Sequence, residues 1–253
     1  MSTTDVASGI AVAGTTDVSD DVWRTMAASI NSSSAHHEPD LLGQTVLVIG
    51  GSSGIGLETA RLARAQGADI ILTARNPDRL HRVGLELAAS IAAFDATDFG
   101  RLERFFDALP GLVDHLLVTG PGPHYVPLNG FDLDAARRDV DARLLLPLRL
   151  ARHGASKIRP GGTLLFMGCA GGRRMAAGLA FTAALAAALP AMTRSLALEI
   201  APIRVNLIAA GFVDPADIAA LAVHLMTNTA ITGATFDIDG GQPAGGRRPR
   251  WPG

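Results

Sequence analysis

The 253-residue chain is short of reactive side chains: it has one cysteine, Cys169, one tyrosine, Tyr125, and one lysine, Lys157. A single cysteine excludes an intrachain disulfide and any metal site built from several thiolates, and it suits a reducing compartment such as the cytoplasm. Charged residues make up only 18% of the chain and the net charge is -2, which excludes the strongly basic surface of a nucleic-acid binder. No apolar run of membrane-spanning length is free of Pro, Gly and charge. The expectation is therefore no metal, no nucleic acid and no membrane. What is plentiful is hydrophobic residues, at 48%, and glycine, with 28 residues. This composition excludes whole-chain disorder and suits a globular protein with a sizeable core.

Residues 1–40 are rich in Ser, Thr, Ala and Asp and show little apolar periodicity. They read as a disordered N-terminal tail, without the basic start and apolar core of a secretory signal. A short docking helix is the alternative there, because Val22, Met26 and Ile30 share a helical face beside Trp23, after Ser19 and Asp20. Residues 41–242 form one domain, and 243–253, with Arg247, Arg248 and Arg250, read as a solvated C-terminal tail.

Within the domain, strand and helix patterns alternate. Strands are expected at Thr45 to Ile49, Asp69 to Thr73, Ala92 to Phe94, His115 to Val118, Thr163 to Met167, Arg204 to Ile208 and Thr235 to Ile238. Helices are expected at Ile55 to Gln66, Pro77 to Ala89, Phe99 to Leu109, Leu133 to Arg152, Ala180 to Ile200 and Pro215 to Met226, with Pro190 bending or interrupting the fifth. Seven strands separated by helices predict an α/β fold: a Rossmann-type, doubly wound, parallel sheet covered on both faces.

After the first strand comes Gly50-Gly51-Ser52-Ser53-Gly54-Ile55-Gly56, leading directly into a helix. Glycines there permit a tight turn and let backbone N–H groups approach a phosphate, which the positive end of the helix dipole also attracts. Nucleotide binding by Gly50, Ser52, Ser53, Gly54, Ile55 and Gly56 follows from that position. At the end of the second strand, Thr73-Ala74-Arg75 offers no carboxylate for a ribose 2′-hydroxyl, whereas Arg75 suits a 2′-phosphate. NADP(H) is thus favoured over NAD(H). Arg79 and Arg82 either assist or form the solvent face of the next helix.

The run Gly50-x-x-x-Gly54-x-Gly56 resembles the cofactor fingerprint of the short-chain dehydrogenase/reductase family. Asp95-Ala96-Thr97-Asp98 resembles that family's acidic turn, whose first Asp contacts adenine, and Leu117-Val-Thr119-Gly120-Pro121-Gly122 occupies the place of its Asn-Asn-Ala-Gly motif. The resemblance continues through Gly161-Gly162, Thr193 to Glu199, Ile203-Arg-Val-Asn206, Gly211-Phe-Val213 and Ile231 to Gly241. It adds Asp95, Ala96, Thr119, Gly120 and Pro121 to the cofactor set, and it implies a homodimer or homotetramer acting on a small molecule.

The resemblance breaks at the chemistry. The family uses a Ser, a Tyr and a Lys four residues after it, with an Asn on an earlier helix. Alignment from Gly161-Gly162 puts Cys169 at the Ser, Phe181 at the Tyr and Leu185 at the Lys; a shift by one gives Thr182 and Ala186. Asp141 falls at the Asn, and Lys157, in His153-Gly-Ala-Ser-Lys157, falls before the fifth strand, at the wrong end of the sheet. The family's helical lid after Gly211-Phe-Val213 is also missing, because Asp214-Pro215 enters the next helix at once. Replacement catalytic candidates are Tyr125, Cys169 and Asp141, with His124 beside Tyr125 and with Arg173 and Arg174 as anion holders or solvent-facing residues. Three readings stay open: an NADP(H)-dependent oxidoreductase on a carbonyl or hydroxyl substrate with a non-standard proton donor, an inactive nucleotide-binding sensor or assembly partner, and a non-redox lyase, cyclase or isomerase.

Overall fold

Runs rich in Val, Ile and Leu line up as the seven strands of one sheet in a computed structural model that describes residues 40–120, 122, 128–170 and 178–241. The strands are β1 Thr45–Ile49, β2 Asp69–Ala74, β3 Ser90–Ala93, β4 Val113–Val118, β5 Ile158–Cys169, β6 Arg204–Ala210 and β7 Thr235–Ile238. Their order is β3-β2-β1-β4-β5-β6-β7, and every pair is parallel. The order reverses between β1 and β4, the place where an open parallel sheet leaves a crevice at its carboxyl edge.

The helices are α1 Gly54–Ala65, α2 Pro77–Leu87, α3 Phe99–Ala108, α4 Leu133–Val140, α5 Leu146–Gly154, α6 Ala180–Glu199 and α7 Pro215–Thr227. Alternate strand residues feed two cores. Leu47, Leu116, Leu164, Phe166 and Leu207 meet Phe106 of α3, Leu150 of α5 and Leu189 of α6. On the opposite face Val48, Leu72, Leu117, Leu165 and Ile208 meet Ala60 of α1, Leu80 of α2 and Ala222 of α7. Burying each such Leu or Ile side chain contributes roughly 1.5–3 kcal/mol, so the sheet is held from both faces and its carboxyl edge is a rigid platform.

Three local expectations need correction. The helix expected over Leu133 to Arg152 is divided by a π-helical turn, Asp141–Leu145, because Pro147 has no N–H to give the carbonyl four residues earlier, at Arg143. Pro190 does not interrupt α6, which is helical from Ala180 to Glu199. Its buried Leu185, Leu189, Thr193 and Leu196, on both sides of the proline, anchor it to the sheet. β5 begins at Ile158, five residues ahead of expectation, with a register shift opposite Val113 and His115. The irregularity sits at Gly161, with φ +82°, and at Gly162, where a Cβ would lie 2.3 Å from the Asp114 carbonyl oxygen. By length and composition α6 is apolar enough to cross a membrane, at mean hydropathy 1.3; its buried stripe lies against β5 and β6.

Candidate cofactor and active site

The turn after β1 is braced from both neighbouring strands. Gly50 and Gly51 donate their N–H groups to the Thr73 carbonyl of β2 at 2.9 and 3.1 Å, and Thr119 beyond β4 donates its N–H to Ile49 at 2.9 Å. The Thr119 hydroxyl lies within hydrogen-bond distance of the Ile49 and Gly50 carbonyls, at 3.0 and 3.1 Å. Thr119 thus positions the turn with its side chain. Gly50 has φ +89° and would place a Cβ 2.3 Å from Thr119 Oγ1; a Cβ on Gly56 would lie 2.5 Å from the Gly50 carbonyl oxygen. Only glycine lets helix and turn approach this closely.

The start of α1, like those of α5 and α6, lacks the side-chain cap that four other helices have. Side chains of Asn76, Asp98, Asp132 and Asp214 accept backbone N–H bonds at the starts of α2, α3, α4 and α7. At α1, Ser53 is the extended N-cap residue but makes no side-chain cap bond, and the first turn holds no acid. Gly54, at φ +55°, faces open space. Serine hydroxyls, uncapped N–H groups and the helix dipole are therefore left for an anion.

At the carboxyl end of β2, Arg75 is exposed, as are Arg79 and Arg82 on α2. No carboxylate pairs with Arg75 among the described residues. Beyond β3, Asp95 is exposed and uses one carboxylate oxygen to accept from the Thr97 N–H and hydroxyl at 2.9 and 2.7 Å; Ala96 is half-buried against the core. Gly120 is exposed at the end of the β4 turn. The turn, Arg75, Asp95 and Gly120 thus all follow carboxyl ends of β1 to β4, on the edge that the crevice occupies.

The residues that the alignment puts at the family's proton relay lie at the end of β5 and on α6. Cys169 is half-buried at the end of β5, opposite Ala210 of β6. Phe181 stacks edge-on against Phe131, with ring centroids 5.4 Å apart, and Leu185 is buried in the core. The alternative register gives Thr182, also buried, and Ala186. Asp141 opens the π-helical turn and is half-buried. Lys157 lies at the opposite edge, where its carbonyl accepts the Val113 N–H at the start of β4. The connection from β6 to α7 is only Gly211 to Asp214, so the lid is replaced by a direct passage. Pro121, His124, Tyr125, Arg173, Arg174, the tail at 1–39 and the tail at 243–253 lie outside the described residues. Among the described residues no three His, Cys, Asp or Glu side chains gather as a metal site.

Three features escaped the sequence reading. Arg143, in the π-helical turn, bonds the Gly122 carbonyl through Nη2 and lies 4.0 Å from Asp139, tying the loop after β4 to the helix carrying Asp141. Arg204 of β6 is buried, and burial lowers its pKa. Its guanidinium donates to the carbonyls of Leu225, Met226 and Asn228, each at 2.7 Å, capping α7. His115 of β4 is 3% exposed and lies 2.6 Å from the Gln44 side-chain oxygen through Nε2. Its neighbours Asp114 and Arg204 act in opposite directions, and burial, the largest cause, pulls its pKa down to about 4. A proline two residues into the last segment was the visible signal for the π turn; nothing local marks Arg204 or His115 as buried.

Residues 49–215 match the family model described as Enoyl-(Acyl carrier protein) reductase. The chain is 28% identical to the short-chain dehydrogenase/reductase ATR9 of Stachybotrys chlorohalonatus, over 80% of this chain and 98% of that protein. It is 32% identical to the cyclic-di-GMP-binding biofilm dispersal mediator protein of Escherichia coli, over 68% of this chain and 74% of the relative. Among solved structures, BdcA in complex with NADPH superposes with a TM-score of 0.75 at 26% identity, covering 79% of this chain and 95% of that one.

Proposed function

The chain belongs to the short-chain dehydrogenase/reductase family, and on that footing we propose that it is an NADP(H)-dependent oxidoreductase acting on a carbonyl or hydroxyl group of a small molecule. The observation that carries the cofactor reading is the α1 start: a glycine turn with no side-chain cap, beside an exposed Arg75 and no carboxylate. The solved NADPH complex of the related fold supports it. Backbone N–H groups at Gly54 to Gly56 and the serine hydroxyls are suited to the pyrophosphate, Arg75 to the 2′-phosphate, and Asp95 with Ala96 to the adenine. When bound, the nicotinamide supplies or accepts a hydride.

Hydride delivery to a carbonyl leaves an oxygen that must take a proton. The sequence holds no Tyr-x-x-x-Lys anywhere, since Tyr125 and Lys157 are its only tyrosine and lysine. The donor is therefore a different group, from the set Cys169, Asp141 and Tyr125. A positioned proton donor is worth about 10²–10⁴ in rate, so turnover is slow rather than absent with the wrong donor. The test is NADPH consumption against aldehydes and ketones by the full chain and by Cys169→Ala, Asp141→Asn and Tyr125→Phe. One of the three should fall by about a hundredfold; equal activity in all three removes the set.

A second reading is a binding protein that holds NADP(H) without turning it over. The absence of the pair favours it, as does a relative named for binding a cyclic dinucleotide. It predicts saturable NADPH binding with no oxidation of the cofactor by any carbonyl. In either case we place the protein in the cytoplasm as a homodimer or homotetramer. The exposed Ala184, Ala187, Ala191 and Leu198 on the outer side of α6 support close helix packing between copies, which light scattering would read directly.

A further inference from the structure

On the footing of the NADP(H) reading, we propose that Arg143 is a positioning residue for the nicotinamide half of the cofactor. It ties the backbone that leaves β4 to the π-helical turn, and so fixes one wall of the crevice.

The strands lie in the order β3-β2-β1-β4-β5. Asp95 follows β3, Arg75 follows β2 and the glycine turn follows β1, so the groups suited to the adenine, the 2′-phosphate and the pyrophosphate stand in that sequence along the carboxyl edge. Next along the edge is the backbone after β4, where Gly120 and Gly122 are exposed; it is the part of the crevice left for the nicotinamide riboside.

Side-chain packing does not hold that backbone. A Cβ on Gly120 or Gly122 would meet no atom of the described residues within 4 Å. Polar ties hold it instead. At the end nearest β1, Thr119 gives its N–H to the Ile49 carbonyl at 2.9 Å and sets its hydroxyl 3.0 and 3.1 Å from the Ile49 and Gly50 carbonyls. At the other end, the Gly122 carbonyl accepts from Arg143 Nη2.

The place of Arg143 is set by the helix that carries it. Asp139, one turn earlier on α4, is 7% exposed, and its carboxylate lies 4.0 Å from Arg143 Nε. The Arg143 side chain is 16% exposed, so water screens these contacts less than it screens a surface pair. The Leu146 N–H donates to the Asp141 carbonyl, which closes the π-helical turn around Arg143. A planar guanidinium presents several N–H groups in a fixed fork; Nε therefore faces the helix carboxylate while Nη2 reaches the loop carbonyl. Arg143 acts through Gly122 and touches no reacting atom.

The test titrates NADPH and adenosine 2′,5′-bisphosphate by calorimetry against the full chain and Arg143→Met. The bisphosphate keeps the adenine and the 2′-phosphate but has no nicotinamide riboside. Arg143→Met should bind NADPH about five- to thirtyfold more weakly, because the cofactor must then order backbone that it finds in place in the parent. The bisphosphate should bind as it does to the parent. Amide hydrogen exchange at Gly122 should also be faster in the variant. If Arg143→Met does not fold, as judged by circular dichroism, Asp139→Asn with Arg143→Met serves instead, since it removes the buried carboxylate's charge together with its partner. In the parent itself, NADPH should slow exchange at Gly120 and Gly122 and the bisphosphate should not. Unchanged NADPH affinity in the variant, equal weakening of the two ligands, or exchange at Gly122 that NADPH does not slow each overturns the role of Arg143 and leaves the cofactor reading standing. A parent that does not bind NADPH overturns both.

Discussion

Replacing His115 by Gln should flatten the acid limb of the stability curve. His115 is enclosed among β1, β4 and β5, paired in register with Val46 and Thr163, with Gln44 against Nε2. Its Nδ1 is buried without a partner among the described residues, so the native ring stays neutral while protonation would bury a charge. The folded pKa of about 4 lies below the ordinary value of 6.5, so on acidification the unfolded chain takes up a proton that the native chain refuses. Stability from this group is therefore intact above pH 6.5 and is lost as pH falls toward 4. At 1.36 kcal/mol per unit, the whole window of about 2.5 units amounts to about 3.4 kcal/mol. Between pH 7 and pH 5 the loss integrates to about 2 kcal/mol. Urea denaturation followed by circular dichroism at pH 7, 6 and 5 would measure it, and the carboxylates common to both proteins cancel in the comparison. The parent should lose about 2 kcal/mol more than His115→Gln over that range; parallel curves for the two proteins would refute the burial argument.

Other substitutions test neighbouring parts of the structure. Gly56→Ala puts a Cβ 2.5 Å from the Gly50 carbonyl oxygen, and NADPH affinity measured by fluorescence titration should fall about tenfold or more, an overpacking cost of at least 1–2 kcal/mol. Arg204→Met leaves the Leu225, Met226 and Asn228 carbonyls without their donor, and the unfolding free energy should drop by about 3 kcal/mol or more. Rebuilding the family's pair as Phe181→Tyr with Leu185→Lys should not raise NADPH turnover. Leu185 is 6% exposed and belongs to the buried side of α6, so the double variant instead loses about 3 kcal/mol of stability by placing an ammonium in the core.

The strand cores and the glycine turn were legible because each depends on neighbours in sequence: a β-branched run, a glycine at a fixed offset. Arg75 was legible for the same reason, as the residue directly after β2. Long-range pairing was not legible. Nothing beside Arg204 in the chain marks it as buried, but the C-terminus of α7, some 20 residues later, folds over it and supplies carbonyls instead of water. His115 likewise meets Gln44 across 71 residues. The early start of β5 needed the partner strand, because only pairing with Val113 reveals that Ile158 is already in the sheet. Pro190 is the reverse case: a local rule predicted a bend or an interruption, and with packing on both sides of it α6 is not interrupted.

The account's central claim is that the α1 turn and Arg75 hold an NADP(H) rather than an NAD(H). Titration of NADPH and NADH against the full chain and Arg75→Ala, followed by the nicotinamide fluorescence, tests it most directly. A charge-assisted contact to the 2′-phosphate predicts NADPH bound about 10- to 100-fold tighter than NADH by the parent, with the preference lost in Arg75→Ala and NADH affinity unchanged. Equal affinity for the two cofactors, or a preference that survives in Arg75→Ala, would contradict it.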